Sequence, residues 1–268
     1  MSTEADGLPS FIIAIPARYG ATRLPGKPLR LLGGEPLIRR VVRRAQSAGA
    51  AEVVVATDDA RVAEALAGSG ARVELTSAAH ASGSDRLAEC ATRLGWADDA
   101  IVVNLQGDEP FAPAAGIRAA VAALVASSAP MATLAAPITG IEQLSDPNLV
   151  KVVRDRLGNA LYFSRAPLPW ARDAFAVDRT RLPDGIPFLR HIGIYAYRAG
   201  FLRAYPSLAR TPLEQAESLE QLRALEHGYA IAVALSPATF PPGIDTPEDL
   251  ARAERDLGAD ATVDRHSG

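Results

Sequence analysis

The chain has one cysteine in 268 residues, Cys90. A single thiol excludes an internal disulfide framework and a cysteine-built zinc cluster. Cys90 lies in RLAECATRLG, a helix-like stretch where a lone thiol reads as a small buried apolar group rather than a nucleophile. Lysine is almost absent too: Lys27 and Lys151 stand against 26 arginines. Charge of one sign is also scarce. A net charge of −3 does not suit a generic nucleic-acid binder, so any polyanionic ligand must be met by local cations. No run approaches the ~18 apolar residues of a bilayer-spanning helix. The opening MSTEADGLPS is polar and acidic, without the layout of a secretory leader. These absences point to a cytoplasmic protein that partners neither nucleic acid nor membrane, with disordered ends over residues 1–9 and 258–268.

What is present is an alternation. FIIAIPA, AEVVVATDD, ARVELT, AIVVNLQ and MATLAAPI are short, β-branched, nearly uninterrupted apolar runs, as expected of buried strands. Between them lie helical patterns. In EPLIRRVVRRAQSAG, Leu37, Ile38, Val41, Val42 and Ala45 recur at helical spacing, and Gly49 is a plausible stop. Such βα alternation predicts an α/β fold: a mostly parallel, Rossmann-like sheet with helices on both faces. NLVKVVRD, NALYFSRAPLPW and LRHIGIYAYR break the pattern and read as an inserted antiparallel lobe over about residues 140–215, within one domain spanning about 10–257. Ligands of open α/β sheets bind beyond the carboxyl ends of the strands. That rule gathers residues 16–28, 57–59, 80–86 and 106–110 on one edge.

Five stretches carry chemistry. ARYGATRLPGKPL follows the first strand and holds Arg18, Arg23 and Lys27 with no acid among them. Glycines let backbone N–H groups approach oxyanions, and the cations suit a phosphate chain; the bland alternative is a solvated basic loop. Its glycine spacing matches neither a dinucleotide fingerprint nor a Walker loop. NLQGDEP ends a strand in acid. Asp108 there suits magnesium, a hard cation, or else only a turn. In GIDTPEDL, Thr246 caps a helix begun by Pro247, which explains Glu248 and Asp249 in the first turn but leaves Asp245 without a local role. HASGSDR offers small polar groups for a base or ribose, or an elaborate cap by Ser84 or Asp85, with His80 structural. On the inserted lobe, Arg165, His191, Tyr195, Glu217 and Gln221 compose a polar wall suited to a hydroxylated acid, or else ordinary packing and a solvated helix face.

Together, IPARYGATRLPGKPL, VVVATDD, HASGSDR, VNLQGDEP, ALYFSRAPLPW, LRHIGIYAYR, ESLEQLRALEHG and GIDTPEDL resemble, in this order, the 3-deoxy-manno-octulosonate cytidylyltransferases, or CMP-KDO synthetases, over about residues 10–257. The resemblance implies a nucleotide-diphospho-sugar transferase-like fold with a dimerisation and substrate lobe. It implies a cytoplasmic, Mg2+-dependent homodimer that makes CMP-KDO and pyrophosphate from CTP and 3-deoxy-D-manno-octulosonate (KDO) for lipopolysaccharide biosynthesis. Carried over by motif, Arg18, Arg23 and Lys27 are triphosphate ligands, with Arg18 and Lys27 also catalytic. Ser82, Gly83, Arg86 and Gln106 are cytidine contacts, and Asp108 and Asp245 are catalytic metal ligands. Arg165, His191, Tyr195, Glu217 and Gln221 form the sugar-acid site. Two departures are visible: Ser84 replaces the family's usual threonine, and FPPGID alters the approach to Asp245. The rivals are a cytidylyltransferase for a related acidic sugar, such as 8-amino-KDO or a sialic acid, and a catalytically silent nucleotide-binding module. The pair Asp108 and Asp245 argues against silence.

Overall fold

A strand buried on both faces needs apolar groups along its middle, and FIIAI, VVVA and IVV supply them. The computed structural model of the chain describes residues 7–20 and 23–263, with side chains described to residue 257. The strands in chain order are β1 (Phe11–Pro16), β2 (Leu31–Leu32), β3 (Glu35–Pro36), β4 (Glu52–Thr57), β5 (Arg72–Leu75), β6 (Ile101–Asn104), β7 (Met131–Pro137), β8 (Lys151–Arg154), β9 (Ala160–Ser164), β10 (Leu189–Arg198) and β11 (Ile231–Leu235). The helices are α1 (Leu37–Ser47), α2 (Ala60–Ala65), α3 (Gly83–Arg93), α4 (Ala114–Val125), α5 (Ile141–Ser145), α6 (Arg172–Val177), α7 (Ala199–Ala204), α8 (Pro212–Glu217), α9 (Gln221–Glu226) and α10 (Pro247–Val263).

The main sheet runs β11-β7-β10-β6-β1-β4-β5. β1 pairs in parallel with β4 and β6, β4 with β5, and β11 with β7. Alternate residues of each strand feed opposite cores. Ile13, Ile15, Val55 and Val103 pack with α1 and α4 through Val41, Val42, Ile117 and Val121. Ala14, Val54 and Val102 pack on the other face with Leu87, Cys90 and Leu202. Each fully buried Val or Ile contributes about 1.5–3 kcal/mol relative to exposure. Cys90 is fully buried as expected, and burial, followed by Glu74 and Glu89, pushes its thiol up to about 12. Gly49 takes φ 80 just past α1, a left-handed stop that a glycine adopts freely.

One strand differs from expectation. LRHIGIYAYR, expected within the inserted lobe, is β10 and lies in the main sheet, antiparallel to both β6 and β7. The cause is burial on two faces: Ile192, Ile194 and Ala196 enter one core while Leu189 and Tyr197 enter the other. The excursion keeps β8 and β9 on the far side of β10, with a small core of Ile138, Leu144, Phe175 and Phe188. A register shift between Ile192 and Tyr195 bends β10 beside Gly193. At the chain's end, α10 continues to Val263, into the stretch expected as a disordered tail. Residues 1–6 of the expected N-terminal tail and 264–268 of the C-terminal one lie outside the described residues. Among the described residues, no helix is long and apolar enough to cross a membrane.

Candidate active site

The carboxyl ends of β1 and β6 open onto a cleft of about 380 Å³. After β1, the chain turns into a one-turn 3-10 helix, Lys27–Leu29. Gly26 makes that turn with φ 67, and a Cβ there would lie 3.1 Å from the Tyr19 hydroxyl. A second glycine is needed for a different reason. A Cβ on Gly107 would sit 2.9 Å from the Pro16 carbonyl oxygen, so only glycine lets the ends of β1 and β6 close together.

This geometry aims Lys27 across the cleft. Its Nζ donates to Asp108 Oδ2 at 2.7 Å and to Asp245 Oδ1 at 2.9 Å. Arg23 Nη2 donates to Asp245 Oδ2 at 3.0 Å. The two aspartates come from distant segments. The Ile244 N–H donates to the Asp108 carbonyl at 2.9 Å, which lays the loop before α10 against the loop after β6. Asp249 then accepts from the N–H groups of Asp245 and Thr246, while Thr246 Oγ1 accepts from the Asp249 N–H. This reciprocal cap holds Asp245 at the rim of the cleft.

Burial raises the Asp108 carboxyl, Lys27 opposes that rise, and Asp245 adds to it. Burial also acts to raise Asp245, but the hydrogen bond and charge of Lys27, with Arg23, carry it below the usual carboxylate range. Burial disfavours the Lys27 ammonium, yet the two aspartates outweigh it and its pKa rises. Glu109 is pushed up to about 7 by burial and then by Asp108, and its Oε2 has no hydrogen-bond partner. Asp108 and Asp245 thus present hard oxygen donors around a point already held by a cation. That set suits a divalent ion which also takes water and phosphate oxygens. No cluster of three or more His, Cys, Asp or Glu able to hold an ion exists among the described residues.

The expected cytidine contacts line the same cleft, as does Arg18, exposed at its mouth. Ser82, not Ser84 or Asp85, caps α3: its Oγ accepts from the Asp85 N–H at 3.1 Å. Gly83 packs against Pro16, and the Gln106 amide donates to Asn104 Oδ1 at 3.3 Å. Arg86 is buried and anchored, donating to Asp58 Oδ2 at 3.0 Å and Thr76 Oγ1 at 2.6 Å. His80 is tied to Glu89, in keeping with a structural role.

A second cleft, of about 300 Å³, adjoins the first, and Gly83, Gln106 and Glu220 line both. Its wall includes His191, Tyr195 and Gln221. Burial pushes the His191 imidazole down to about 3, so it is neutral, and its Nε2 lies 3.0 Å from Thr133 Oγ1. The Tyr195 hydroxyl and Gln221 Nε2 are buried without any partner. Two orphaned polar atoms aimed at one cavity mark a place for a polar ligand. Arg165 and Glu217 line neither cleft. Arg165 gives Nε to the Glu217 carbonyl at 2.7 Å and Nη1 to that of Pro147 at 2.9 Å. Glu217 accepts from Ser164 Oγ at 2.5 Å and from the Arg165 N–H at 2.9 Å. The guanidinium expected to meet a carboxylate is therefore engaged behind the wall. Glu220 was not singled out from the sequence, although it stands beside Gln221 in ESLEQLR. Its placement depends on Ser218, a non-glycine residue at φ 52 that breaks α8 from α9.

A family model described as Cytidylyltransferase matches residues 12–231. The chain is 64% identical over 245 residues to a 3-deoxy-manno-octulosonate cytidylyltransferase of Stenotrophomonas maltophilia (strain R551-3), covering 91% of this chain and 95% of that one. It is 62% identical over 248 residues to the protein of the same name from Xylella fastidiosa (strain M12), covering 92% and 96%. Among solved structures it is similar to a CMP:2-keto-3-deoxy-manno-octonic acid synthetase complexed with CTP. The TM-score is 0.84 at 40% identity, covering 94% of this chain and all of that one.

Proposed function

The chain belongs to the cytidylyltransferase family and, within it, to the 3-deoxy-manno-octulosonate cytidylyltransferases; from that membership we infer the following chemistry. It is a nucleotidyltransferase that activates KDO with CTP, giving CMP-KDO and pyrophosphate for lipopolysaccharide biosynthesis. The anomeric hydroxyl of the sugar acid attacks the α-phosphorus, and pyrophosphate leaves. Such transfers depend on positioning and on charge neutralisation.

We assign the residues as follows. Arg18, Arg23 and Lys27 grip the triphosphate and take up charge developing on the leaving group. Ser82, Gly83 and Gln106 face the cytidine, with Arg86 locked behind them by Asp58. His191, Tyr195 and Gln221 receive the sugar acid, and Arg165 and Glu217 brace their wall from behind. Asp108 and Asp245 hold the divalent ion that the family generally uses. When bound, that ion neutralises phosphate oxygens and lowers the pKa of the attacking hydroxyl. The observation that carries these assignments is the convergence of Arg23 and Lys27 on Asp108 and Asp245.

Magnesium is our choice of ion, because the two protein donors are carboxylates that leave room for water and phosphate. A homodimer is our choice of assembly, since exposed Leu157, Leu161, Trp170 and Val177 gather on one excursion. Dependence on CTP supports the cytoplasm as its compartment. The test is pyrophosphate release with CTP, KDO and MgCl2. Release that needs all three is expected; release indifferent to KDO would refute the reading.

A further inference from the structure

VVVATDD closes β4 with two acids that line neither cleft. They do different things. Asp59 caps α2: its Oδ1 accepts from the Arg61 N–H at 2.9 Å, and its carboxylate pairs with the Arg61 guanidinium. Asp58 turns inward, with 15% of its side chain exposed. Its Oδ1 accepts from the Tyr19 N–H at 3.0 Å, and its Oδ2 accepts from Arg86 Nη2 at 3.0 Å. Tyr19 belongs to the loop that brings Arg18, Arg23 and Lys27 to the first cleft, and Arg86 to the helix that brings Ser82 and Gly83. Each partner is braced a second time. Arg86 Nη1 donates to Thr76 Oγ1 at 2.6 Å. The Tyr19 ring lies under the Arg61 guanidinium, 3.7 Å from its centroid, and its hydroxyl sits beside Gly26, just before Lys27. Asp58 joins the braced loop to the braced helix through the two oxygens of one carboxylate.

We propose that Asp58 is a positioning residue: it fixes the spacing between the cationic loop and α3, so that the triphosphate and cytidine ends of one CTP are received together. The inference rests on the function proposed above, which places the phosphates on the loop and the nucleoside on the helix. Two ends of one ligand reinforce each other only when their subsites stand at the ligand's own length. A loop released from Asp58 keeps its cations and still takes a phosphate chain. The helix keeps its cap and still takes a nucleoside. What is lost is the advantage of holding both on one molecule, to which a displacement of about 1 Å is enough. The chemistry of the tie is specific. Both partners are donors, so both oxygens of Asp58 must accept; an amide offers one acceptor and one donor and must release a partner.

The experiment measures binding by calorimetry in MgCl2, on the whole chain and on Asp58→Asn and Asp58→Glu. The ligands are CTP and its two fragments, cytidine and inorganic tripolyphosphate, the fragments read by displacement of CTP. In each variant the Kd for CTP is expected to rise about tenfold, while those for the fragments change less than about threefold. In pyrophosphate release, the KM for CTP is expected to rise with its Kd and the KM for KDO to change less than about threefold. Thermal unfolding verifies that each variant is folded. Asparagine leaves the Arg86 guanidinium, 3% exposed, without its counter-charge. Should that variant not fold, Asp58→Glu carries the test, because it keeps the charge and alters only the length of the tie. An unchanged Kd for CTP in a folded variant overturns the proposal, as does a loss shared alike by CTP and its fragments, which marks general loosening. A wild-type chain that binds CTP but releases no pyrophosphate with KDO refutes the function proposed above, whereas the fragment comparison decides the role of Asp58 by binding alone.

Discussion

Asp108→Asn separates the pairing of Asp108 with Lys27 from the metal-ligand role proposed for it. Asp108 accepts from Lys27 at 2.7 Å and is only 24% exposed. Asparagine keeps a carbonyl acceptor at nearly the same place, and Lys27 retains Asp245 at 2.9 Å. Burial already disfavours the Asp108 charge, so removing it relieves a cost comparable to the pairing that is lost. The net change in stability should stay within about 1 kcal/mol, a Tm shift of about 3 °C or less. Catalysis has no such compensation. A unit charge about 4 Å from another contributes about 4 kcal/mol at an effective dielectric of 20, and more against a divalent ion. Even if reorganisation cancels most of this, about 3 kcal/mol remains, a loss of turnover of about 10²-fold or more. Pyrophosphate release titrated with MgCl2, beside thermal unfolding in EDTA, reads both quantities. Near-normal turnover at limiting magnesium would show that Asp108 is not a ligand. A large Tm loss in EDTA would show that it serves the fold through Lys27 instead.

Arg23→Ala should leave Tm within about 1–2 °C, because its pair with Asp245 is exposed on both sides, while raising the KM for CTP severalfold in steady-state assays. Gly107→Ala places a Cβ 2.9 Å from a backbone oxygen and should cost about 1–3 kcal/mol, read as a fall in Tm; an unchanged Tm would mean the strand ends relax freely. His191 is held neutral in the fold down to about pH 3, whereas an unfolded histidine takes up a proton near pH 6.5. Between those values the unfolded state binds more protons, so His191 makes stability fall as pH drops through that window. His191→Gln should flatten the pH dependence of Tm there, and an equally steep profile in the variant would contradict the buried neutral assignment.

The parallel strands were legible because burial on both faces leaves a plain mark: FIIAI and VVVA contain no polar residue that a half-exposed strand would show. β10 was not legible as a central strand, since direction and neighbours in a sheet depend on residues far along the chain. LRHIGIYAYR satisfies an edge strand and a central antiparallel one equally well in isolation. The cap of α3 failed for a related reason. Ser82, Ser84 and Asp85 all meet the local requirement, and the close seat of Gly83 on Pro16 accompanies the choice of Ser82. The convergence of Asp108 and Asp245 was reached through the family resemblance, since the rule for strand carboxyl ends gathered Asp108 but not Asp245, and neither specifies distances. The displacement of Arg165 from the second cleft lay beyond both, because its partners are the carbonyls of Pro147, Glu217 and Ser218, and carbonyls leave no trace in a sequence.

Lysine at position 27 is a choice in a chain whose other cations, Lys151 apart, are arginines. A guanidinium presents a planar fork, matched to the two oxygens of one carboxylate. The task here is different: one donor must reach single oxygens of two carboxylates arriving from different segments, the loop after β6 and the loop before α10. An ammonium does this because its three protons lie on one nitrogen and rotate to suit. The same point charge relieves repulsion between Asp108 and Asp245. A residue that bridges two carboxylates from separate segments needs a flexible stem and an isotropic charge, and lysine supplies both where arginine does not.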